Sequence, residues 1–230
     1  MQSIGHYGLY LLDFDGLLVD TEPYHYRAYR DLIEARGLAF DCSFAQYSQL
    51  AHGKSSSRGV RQWLEKLLPE LADDRCWSPF YREKSERLAQ IYGEEGVSLL
   101  PGVNSFLEWL QREHKLHCVV THSALSLVAP LRESHPLLQK IPHWITREDY
   151  AEPKPSGDSY KLAMSRYLPQ GARAIGFEDS IRGLQALCHA PVHAAVLVAS
   201  EGSAAAEQLE PLTSTTKIAV QRVDRLDQLL

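Results

Sequence analysis

The sequence contains little that would point to a disulfide-rich, membrane-spanning or nucleic-acid-binding protein. Four cysteines occur among 230 residues, and none forms a Cys-x-x-Cys pair, so we expect neither a disulfide framework nor a thiolate zinc site. The sequence has no apolar run close to the roughly 18 residues that a membrane span requires. A formal net charge of −5 provides no basic surface for nucleic acid or anionic lipid.

The first residues also lack the basic segment and the apolar stretch of a secretory signal. Together with the few scattered cysteines, this leads us to expect a reducing, cytoplasmic location. The composition, 44% hydrophobic and 23% charged, is that of an ordinary folded protein. The length suits one large domain, or one domain with a smaller insertion.

The most informative stretch is Asp13-Phe14-Asp15-Gly16, which directly follows the apolar run 9–12. In an extended segment, residues two apart share one side, so Asp13 and Asp15 would lie together. Two such carboxylates repel each other unless a proton or cation lies nearby. Aspartates can also cap a turn. The glycine that follows favours a functional site, because it allows the backbone to approach a ligand closely.

Short apolar runs alternate with helical patterns over most of the chain, which is typical of a parallel sheet covered by helices. The predicted strands are 9–14, 116–121, 143–146, 174–177, 194–198 and, more weakly, 217–220. Between residues 37 and 91 the pattern is helical. We therefore predict an α/β fold in which a parallel-sheet, Rossmann-like core carries a helical cap domain inserted after the first strand. The core would comprise residues 1–18 and 92–230, and the cap residues 19–91.

Polar side chains follow several of these strands at the edge where ligands bind in open α/β sheets. Thr121 ends the second strand, Lys154 lies in the loop beyond the third, and Glu178-Asp179 ends the fourth. Each has an ordinary alternative: Thr121 and Ser123 could cap a helix, Lys154 could be a solvated loop residue, and the acidic pair could suit a helix N-terminus. Their repetition at equivalent strand ends favours one shared site.

The acidic side chains predict a divalent metal at that site. Carboxylate oxygens with no nearby thiolate or imidazole select Mg²⁺. A lysine can bind a phosphoryl oxygen as a point charge, and Thr121 and Ser123 lie where a hydroxyl and the amides of a helix N-terminus could cradle phosphate. His122, between them, receives no role from the sequence.

The ordered set Asp13-Phe14-Asp15-Gly16, Thr121, Lys154 and Gly176-Phe177-Glu178-Asp179-Ser180 resembles the haloacid dehalogenase superfamily of phosphotransferases. The segments Asp15–Pro23 and Glu178–Gly183 are most similar to its β-phosphoglucomutase-like phosphatases. The resemblance implies a Mg²⁺-dependent phosphatase acting on a small phosphorylated metabolite, with a cap that closes over the site and selects the substrate.

The same resemblance implies a role for each matching residue. Asp13 would be the nucleophile and Asp15 the general acid and base. Thr121 and Lys154 would contact the transferring phosphoryl group, with Gly16 and Ser123 beside them. Asp13, the backbone carbonyl of Asp15, Glu178 and Asp179 would hold Mg²⁺. Haloacid dehalogenases lack the second aspartate, so Asp15 favours phosphoryl transfer over carbon–halogen cleavage.

Two further readings stay open. In the mutase of this family, a cap histidine and a cap lysine contact the substrate; His25 and Lys84 match them, and Arg58 is a candidate for a cap arginine whose register the sequence does not settle. A sugar phosphomutase is therefore the first alternative. A binding or regulatory protein that keeps the fold without turnover is the second.

Overall fold

The computed structural model describes residues 4–52, 59–214 and 216–230. The structure contains one six-stranded sheet in which all neighbouring strands pair in parallel, in the order β3-β2-β1-β4-β5-β6. The predicted α/β class with a Rossmann-like parallel sheet is confirmed. The strands are β1 (Leu9–Leu12), β2 (His117–Val120), β3 (His143–Ile145), β4 (Ala174–Glu178), β5 (Ala194–Val198) and β6 (Ala219–Val223).

The central strands are continuous apolar runs in the sequence because both of their faces are buried. Every residue of β1 is fully buried. On one face, the Tyr10 ring stacks on Phe177 of β4 with centroids 6.2 Å apart. On β4, Gly176 allows close packing, because a Cβ there would lie 2.2 Å from Leu187 Cδ2.

The described residues form eleven α-helices. The first four are α1 (Glu22–Glu34), α2 (Phe44–His52), α3 (Gly59–Leu64) and α4 (Asp74–Glu95). The remainder are α5 (Val103–Arg112), α6 (Leu125–Ser134), α7 (Pro136–Gln139), α8 (Asp158–Tyr167), α9 (Ile181–Cys188), α10 (Ala204–Glu207) and α11 (Leu209–Thr213). Single turns of 3₁₀-helix occur at Pro69–Ala72, Arg147–Asp149 and Leu226–Leu229.

Several element boundaries differ from the sequence predictions; β1, for example, ends at Leu12 rather than at residue 14. Helix α4 begins at Asp74, because the Asp73 side chain accepts a hydrogen bond from the Arg75 amide and caps the helix there. Strand β6 runs to Val223 rather than ending at Val220. Its register is determined by pairing with β5, which joins Ala194 to Ala219 and Val198 to Val223.

The chain forms two compact units, Met1–Asp20 with Ser98–Leu230, and Thr21–Val97. The first contains the sheet and a core in which helices α8 and α9 pack with the strands. The second is helical and has its own apolar core around Tyr29, Ile33, Leu64 and Phe80. Among the described residues, no helix is both long enough and apolar enough to cross a membrane.

Candidate active site

The predicted site residues of the sheet unit meet at the carboxyl ends of three adjacent strands. Asp13 follows β1, and its amide donates to the Phe177 carbonyl of β4 at 3.1 Å. Thr121 follows β2, and Glu178 is the last residue of β4. Since β1 lies between β2 and β4, side chains from three separate parts of the chain share one edge of the sheet.

The Lys154 ammonium lies at the centre of this group. It contacts Asp13 Oδ1, and it donates to Glu178 Oε1 at 2.7 Å and to the Val120 carbonyl at 3.1 Å. An ammonium has three donors, so these three acceptors satisfy it. Lys154 is 5% exposed, Asp13 is 7% exposed and Glu178 is 1% exposed. The lysine is therefore held as a buried charge beside the predicted nucleophile, and is not a solvated loop residue.

Asp15 is oriented by two hydroxyl groups that come from the loop after β2. Its Oδ2 accepts from Ser123 Oγ at 2.7 Å and from Thr121 Oγ1 at 3.1 Å. The Thr121 hydroxyl in turn accepts from the Ser123 amide at 2.9 Å. The structure thus brings Thr121 and Ser123 to Asp15, the predicted general acid and base. Their hydroxyls fix the direction of the Asp15 carboxylate.

Three carboxylates form a cluster that fits a divalent cation. Asp13, Glu178 and Asp179 each offer an oxygen, and these oxygens all lie within 4.8 Å of one another. Gly16 closes one side of the cluster: its φ is +81°, and a Cβ there would lie 2.1 Å from Asp179 Oδ2. Oxygen donors of this kind are the ligands that Mg²⁺ prefers. The residues present therefore fit the predicted metal.

The electrostatics of the cluster also favour a further positive charge. Burial raises the pKa of Asp13 to about 8, and the charge of Glu178 adds to this rise while Lys154 opposes it. Burial likewise raises the pKa of Glu178. Burial alone would lower the pKa of Lys154, but Asp13 and Glu178 outweigh it and the pKa is raised. The Lys154 ammonium thus contacts two of the three acids, and a cation would offset the repulsion among the three.

His122 belongs to a hydrogen-bonded chain that the sequence did not indicate. The Tyr150 hydroxyl donates to the Thr121 carbonyl at 3.0 Å, and it lies 3.1 Å from His122 Nδ1. A phenol has one proton, which Tyr150 donates to Thr121. In the contact between Tyr150 and His122, the donor is therefore His122 Nδ1. Desolvation and the charges of Arg182 and Arg147 lower the pKa of His122, although the residue is exposed to solvent.

Tyr160 is a second residue that sequence reasoning missed. It is fully buried on α8, its hydroxyl contacts Glu178 Oε1, and its ring centroid lies 5.1 Å from Lys154 Nζ. Its position six residues after Lys154 provides a weak signal, because the helix that follows a binding loop often carries side chains back toward the site.

The two predicted substrate-binding residues of the helical unit contact each other. Lys84 Nζ lies 2.8 Å from His25 Nδ1. Lys84 is 1% exposed, and its ammonium lies 5.1 Å from the Tyr29 ring centroid and 5.5 Å from that of Tyr81. Both distances are within the range of a cation–π interaction. Arg58, the candidate cap arginine, lies outside the described residues.

The chain is similar in sequence to several known proteins. Protein CbbY of Cereibacter sphaeroides is 28% identical over 182 residues, covering 76% of this chain and 77% of that protein. Fructose-1-phosphate phosphatase YqaB of Escherichia coli is 26% identical over 176 residues, covering 76% and 88%. Beta-phosphoglucomutase of Mycobacterium bovis is 25% identical over 197 residues, covering 76% and 75%.

A solved structure shows the same fold. The crystal structure of CbbY from Rhodobacter sphaeroides in complex with phosphate matches with a TM-score of 0.73 and 24% identity, over 97% of this chain and 96% of that one. The model of the haloacid dehalogenase-like hydrolase family matches residues 7–190, which confirms the resemblance inferred from the motifs. The chain therefore belongs to the haloacid dehalogenase-like hydrolase family.

Proposed function

We propose that this hydrolase is a Mg²⁺-dependent phosphatase that cleaves a small phosphate monoester through an aspartyl-phosphate. The observation that carries the proposal is the contact of the Lys154 ammonium with Asp13 inside a three-carboxylate cluster. A nucleophile, a fixed cation for phosphoryl oxygens and a set of metal ligands thus occupy one edge of the sheet. The relative named as a fructose-1-phosphate phosphatase supports the same chemistry.

In this mechanism Asp13 attacks phosphorus in line and forms the acyl phosphate. Its Oδ1 contacts Lys154, so the ammonium orients the attacking carboxylate. Asp15 protonates the leaving oxygen, and later removes a proton from the water that hydrolyses the intermediate. The hydroxyls of Thr121 and Ser123 hold Asp15 in one orientation for both steps.

The remaining groups stabilise the charge that the phosphoryl oxygens carry. Asp13, the Asp15 carbonyl, Glu178 and Asp179 would hold Mg²⁺, which supplies positive charge to those oxygens when it is bound. Lys154 adds a second positive charge from the protein. Phosphate monoesters hydrolyse very slowly in water, so this preorganised electrostatic environment would provide most of the acceleration.

We propose that the substrate is a sugar phosphate or a related metabolite, and that the helical unit Thr21–Val97 acts as a cap that selects it. Two observations support this. The unit holds a buried lysine in contact with a histidine, and relatives are named for phosphorylated sugars. The cytoplasm, where such metabolites occur, is the compartment that we propose.

The test is a screen of phosphorylated metabolites for release of inorganic phosphate, with and without MgCl₂. Asp13→Asn should abolish release in a protein that circular dichroism shows to be folded, whereas Asp41→Asn, at an exposed position, should keep it. Retained turnover in Asp13→Asn would remove Asp13 from the nucleophile's role. No release from any sugar or aryl phosphate would favour a binding or regulatory protein.

A sugar phosphomutase is the second candidate, and the contact between His25 and Lys84 favours it. The relative named beta-phosphoglucomutase adds support. The two activities differ in what attacks the phosphoenzyme, which is a sugar hydroxyl in a mutase and water in a phosphatase. Product analysis with hexose 1-phosphates decides between them: an isomeric sugar phosphate identifies a mutase, and inorganic phosphate a hydrolase.

A further inference from the structure

We propose that Tyr160 is a positioning residue for the metal site: its hydroxyl orients Glu178 to receive a divalent cation and thereby sets the protein's affinity for Mg²⁺. The proposal rests on the function proposed above, because it concerns how tightly that site binds its metal. Tyr160 lies on α8, outside the motifs that identify the family. Its hydroxyl contacts Glu178, and its ring lies beside the Lys154 ammonium.

The first contact fixes one oxygen of Glu178. Glu178 Oε1 accepts from Lys154 Nζ at 2.7 Å and from the Tyr160 hydroxyl. A phenol is protonated near neutral pH, so it donates here and the carboxylate accepts. With two donors on Oε1, the carboxylate has little freedom to turn, and its second oxygen keeps a constant direction.

Gly183 restrains Glu178 from the other side. A Cβ at Gly183 would lie 1.9 Å from Glu178 Oε2 and 2.0 Å from its carboxylate carbon. The carboxylate therefore packs against the bare backbone of α9, while Oε1 is held from α8. Glu178 is 1% exposed, so water offers little competition for these contacts. Its orientation is established before any cation arrives, which lowers the ordering cost of binding.

The second contact places the Tyr160 ring beside the ammonium that shares Glu178. Lys154 Nζ lies 5.1 Å from the ring centroid, within the range of a cation–π interaction. The ring thus helps to keep the ammonium beside Asp13 and Glu178. Tyr160→Phe would preserve the ring and its packing and remove only the hydroxyl, so it isolates the contact with Glu178.

The experiment compares Tyr160→Phe with Tyr10→Phe. Tyr10 is also fully buried in the sheet unit, and its hydroxyl donates to the Ile4 carbonyl instead of to the cluster. Binding of MgCl₂ is measured by calorimetry and by the rise in melting temperature. Loss of a partner that orients a metal ligand typically weakens binding about 10- to 100-fold. We expect the Mg²⁺ dissociation constant to rise about 10-fold in Tyr160→Phe and to stay at the wild-type value in Tyr10→Phe.

A double-mutant cycle with Glu178→Gln shows whether Tyr160 acts through Glu178. If it does, Tyr160→Phe should change Mg²⁺ affinity much less in the Glu178→Gln protein than in the wild type. Equal Mg²⁺ affinity in Tyr160→Phe and Tyr10→Phe, or strictly additive effects in the cycle, would overturn the proposal.

The same measurements separate this proposal from the function on which it rests. A wild-type protein that binds Mg²⁺ and releases phosphate, with an unaffected Tyr160→Phe variant, rejects only the positioning role. A wild-type protein that neither binds Mg²⁺ nor releases phosphate rejects the proposed function as well.

Discussion

Lys154 and Asp13 form a buried, hydrogen-bonded ion pair although 141 residues separate them in the chain. Their side chains are 5% and 9% exposed. The Val120 carbonyl and Glu178 complete the coordination of the ammonium. A buried pair of this kind is costly to break on one side only, because the partner is left as an uncompensated charge. The lysine consequently contributes to folding as well as to the proposed chemistry.

Lys154→Met should therefore destabilise the protein as well as remove activity. We expect the free energy of unfolding without metal to fall by about 3–5 kcal/mol, the usual cost of removing one partner from a buried pair. Added MgCl₂ should recover part of the loss, because it restores positive charge to the cluster. Urea unfolding with and without MgCl₂ measures both effects. Lys161→Met, at an exposed position of α8, is the control; a Lys154→Met protein as stable as this control would contradict the prediction.

Ser123→Ala should slow turnover without unfolding the protein. The Ser123 hydroxyl donates a shorter hydrogen bond to Asp15 Oδ2 than the Thr121 hydroxyl does. A hydrogen bond to a charged group contributes about 1.5–3 kcal/mol, so kcat should fall roughly 10- to 100-fold. Steady-state kinetics and thermal melting check this against Ser165→Ala, whose exposed hydroxyl contacts a carbonyl within α8. Equal kcat values in the two variants would show that Asp15 is oriented by other groups.

Gly183→Ala and Gly93→Ala should have opposite effects. Both glycines lie in helices, but a Cβ at Gly183 would overlap the Glu178 carboxylate, whereas nothing lies within 4 Å of a Cβ at Gly93. Gly93→Ala should stabilise the protein by about 0.5–1 kcal/mol, since alanine costs less conformational entropy in a helix.

In Gly183→Ala, Glu178 must move, and we expect both a lower melting temperature and a higher Mg²⁺ concentration for half-maximal phosphate release. The two variants are compared by thermal melting and by magnesium titration. Unchanged magnesium dependence in Gly183→Ala would mean that Glu178 is not a ligand in the orientation described.

The protein should lose stability in mild acid partly through His117. This residue is 4% exposed, its Nδ1 contacts the Lys115 carbonyl at 2.7 Å, and burial lowers its pKa from the ordinary 6.5. A histidine whose pKa is lowered by folding binds more protons when unfolded. Its neutral form thus contributes stability above pH 6.5, and this contribution is lost as the pH falls through the lowered, folded-state pKa.

His117→Gln keeps an amide donor but does not titrate, so its free energy of unfolding should change less than that of the wild type between about pH 7 and 5. Urea unfolding at several pH values provides the measurement. His6→Gln, at an exposed position, should retain the wild-type pH dependence. Parallel curves for His117→Gln and the wild type would show that His117 is protonated equally well in the folded state.

Much of the sheet could be predicted from the sequence, because buried parallel strands consist of short runs of consecutive apolar residues. Residues 9–12 and 194–198 are such runs, and the structure places β1 and β5 there. The edge strand β6 is half exposed, its pattern is weaker, and its predicted position was wrong by two to three residues. Pairing with β5 decides that register, and no local pattern contains this information.

The roles of the site residues remain predictions, but their proximity follows from simple rules. Residues that come directly after parallel strands share one edge of the sheet, so Asp13, Thr121 and Glu178 could be expected to meet. The motif Asp13-Phe14-Asp15-Gly16 and the residues Glu178-Asp179 indicated the chemistry through their residue types alone.

The sequence by itself determined the fold class, the family and the kind of chemistry at the strand ends, because apolar runs and short motifs are local properties of the chain. Only the tertiary structure decided which donors hold which acids. Tyr160 meets Glu178 across 18 residues, and Ser123 meets Asp15 across 108. Such contacts depend on how α8 and the loop after β2 pack around the sheet. They form when elements that are distant in the chain pack into one core. The spacing of residues along the chain does not show which elements pack together.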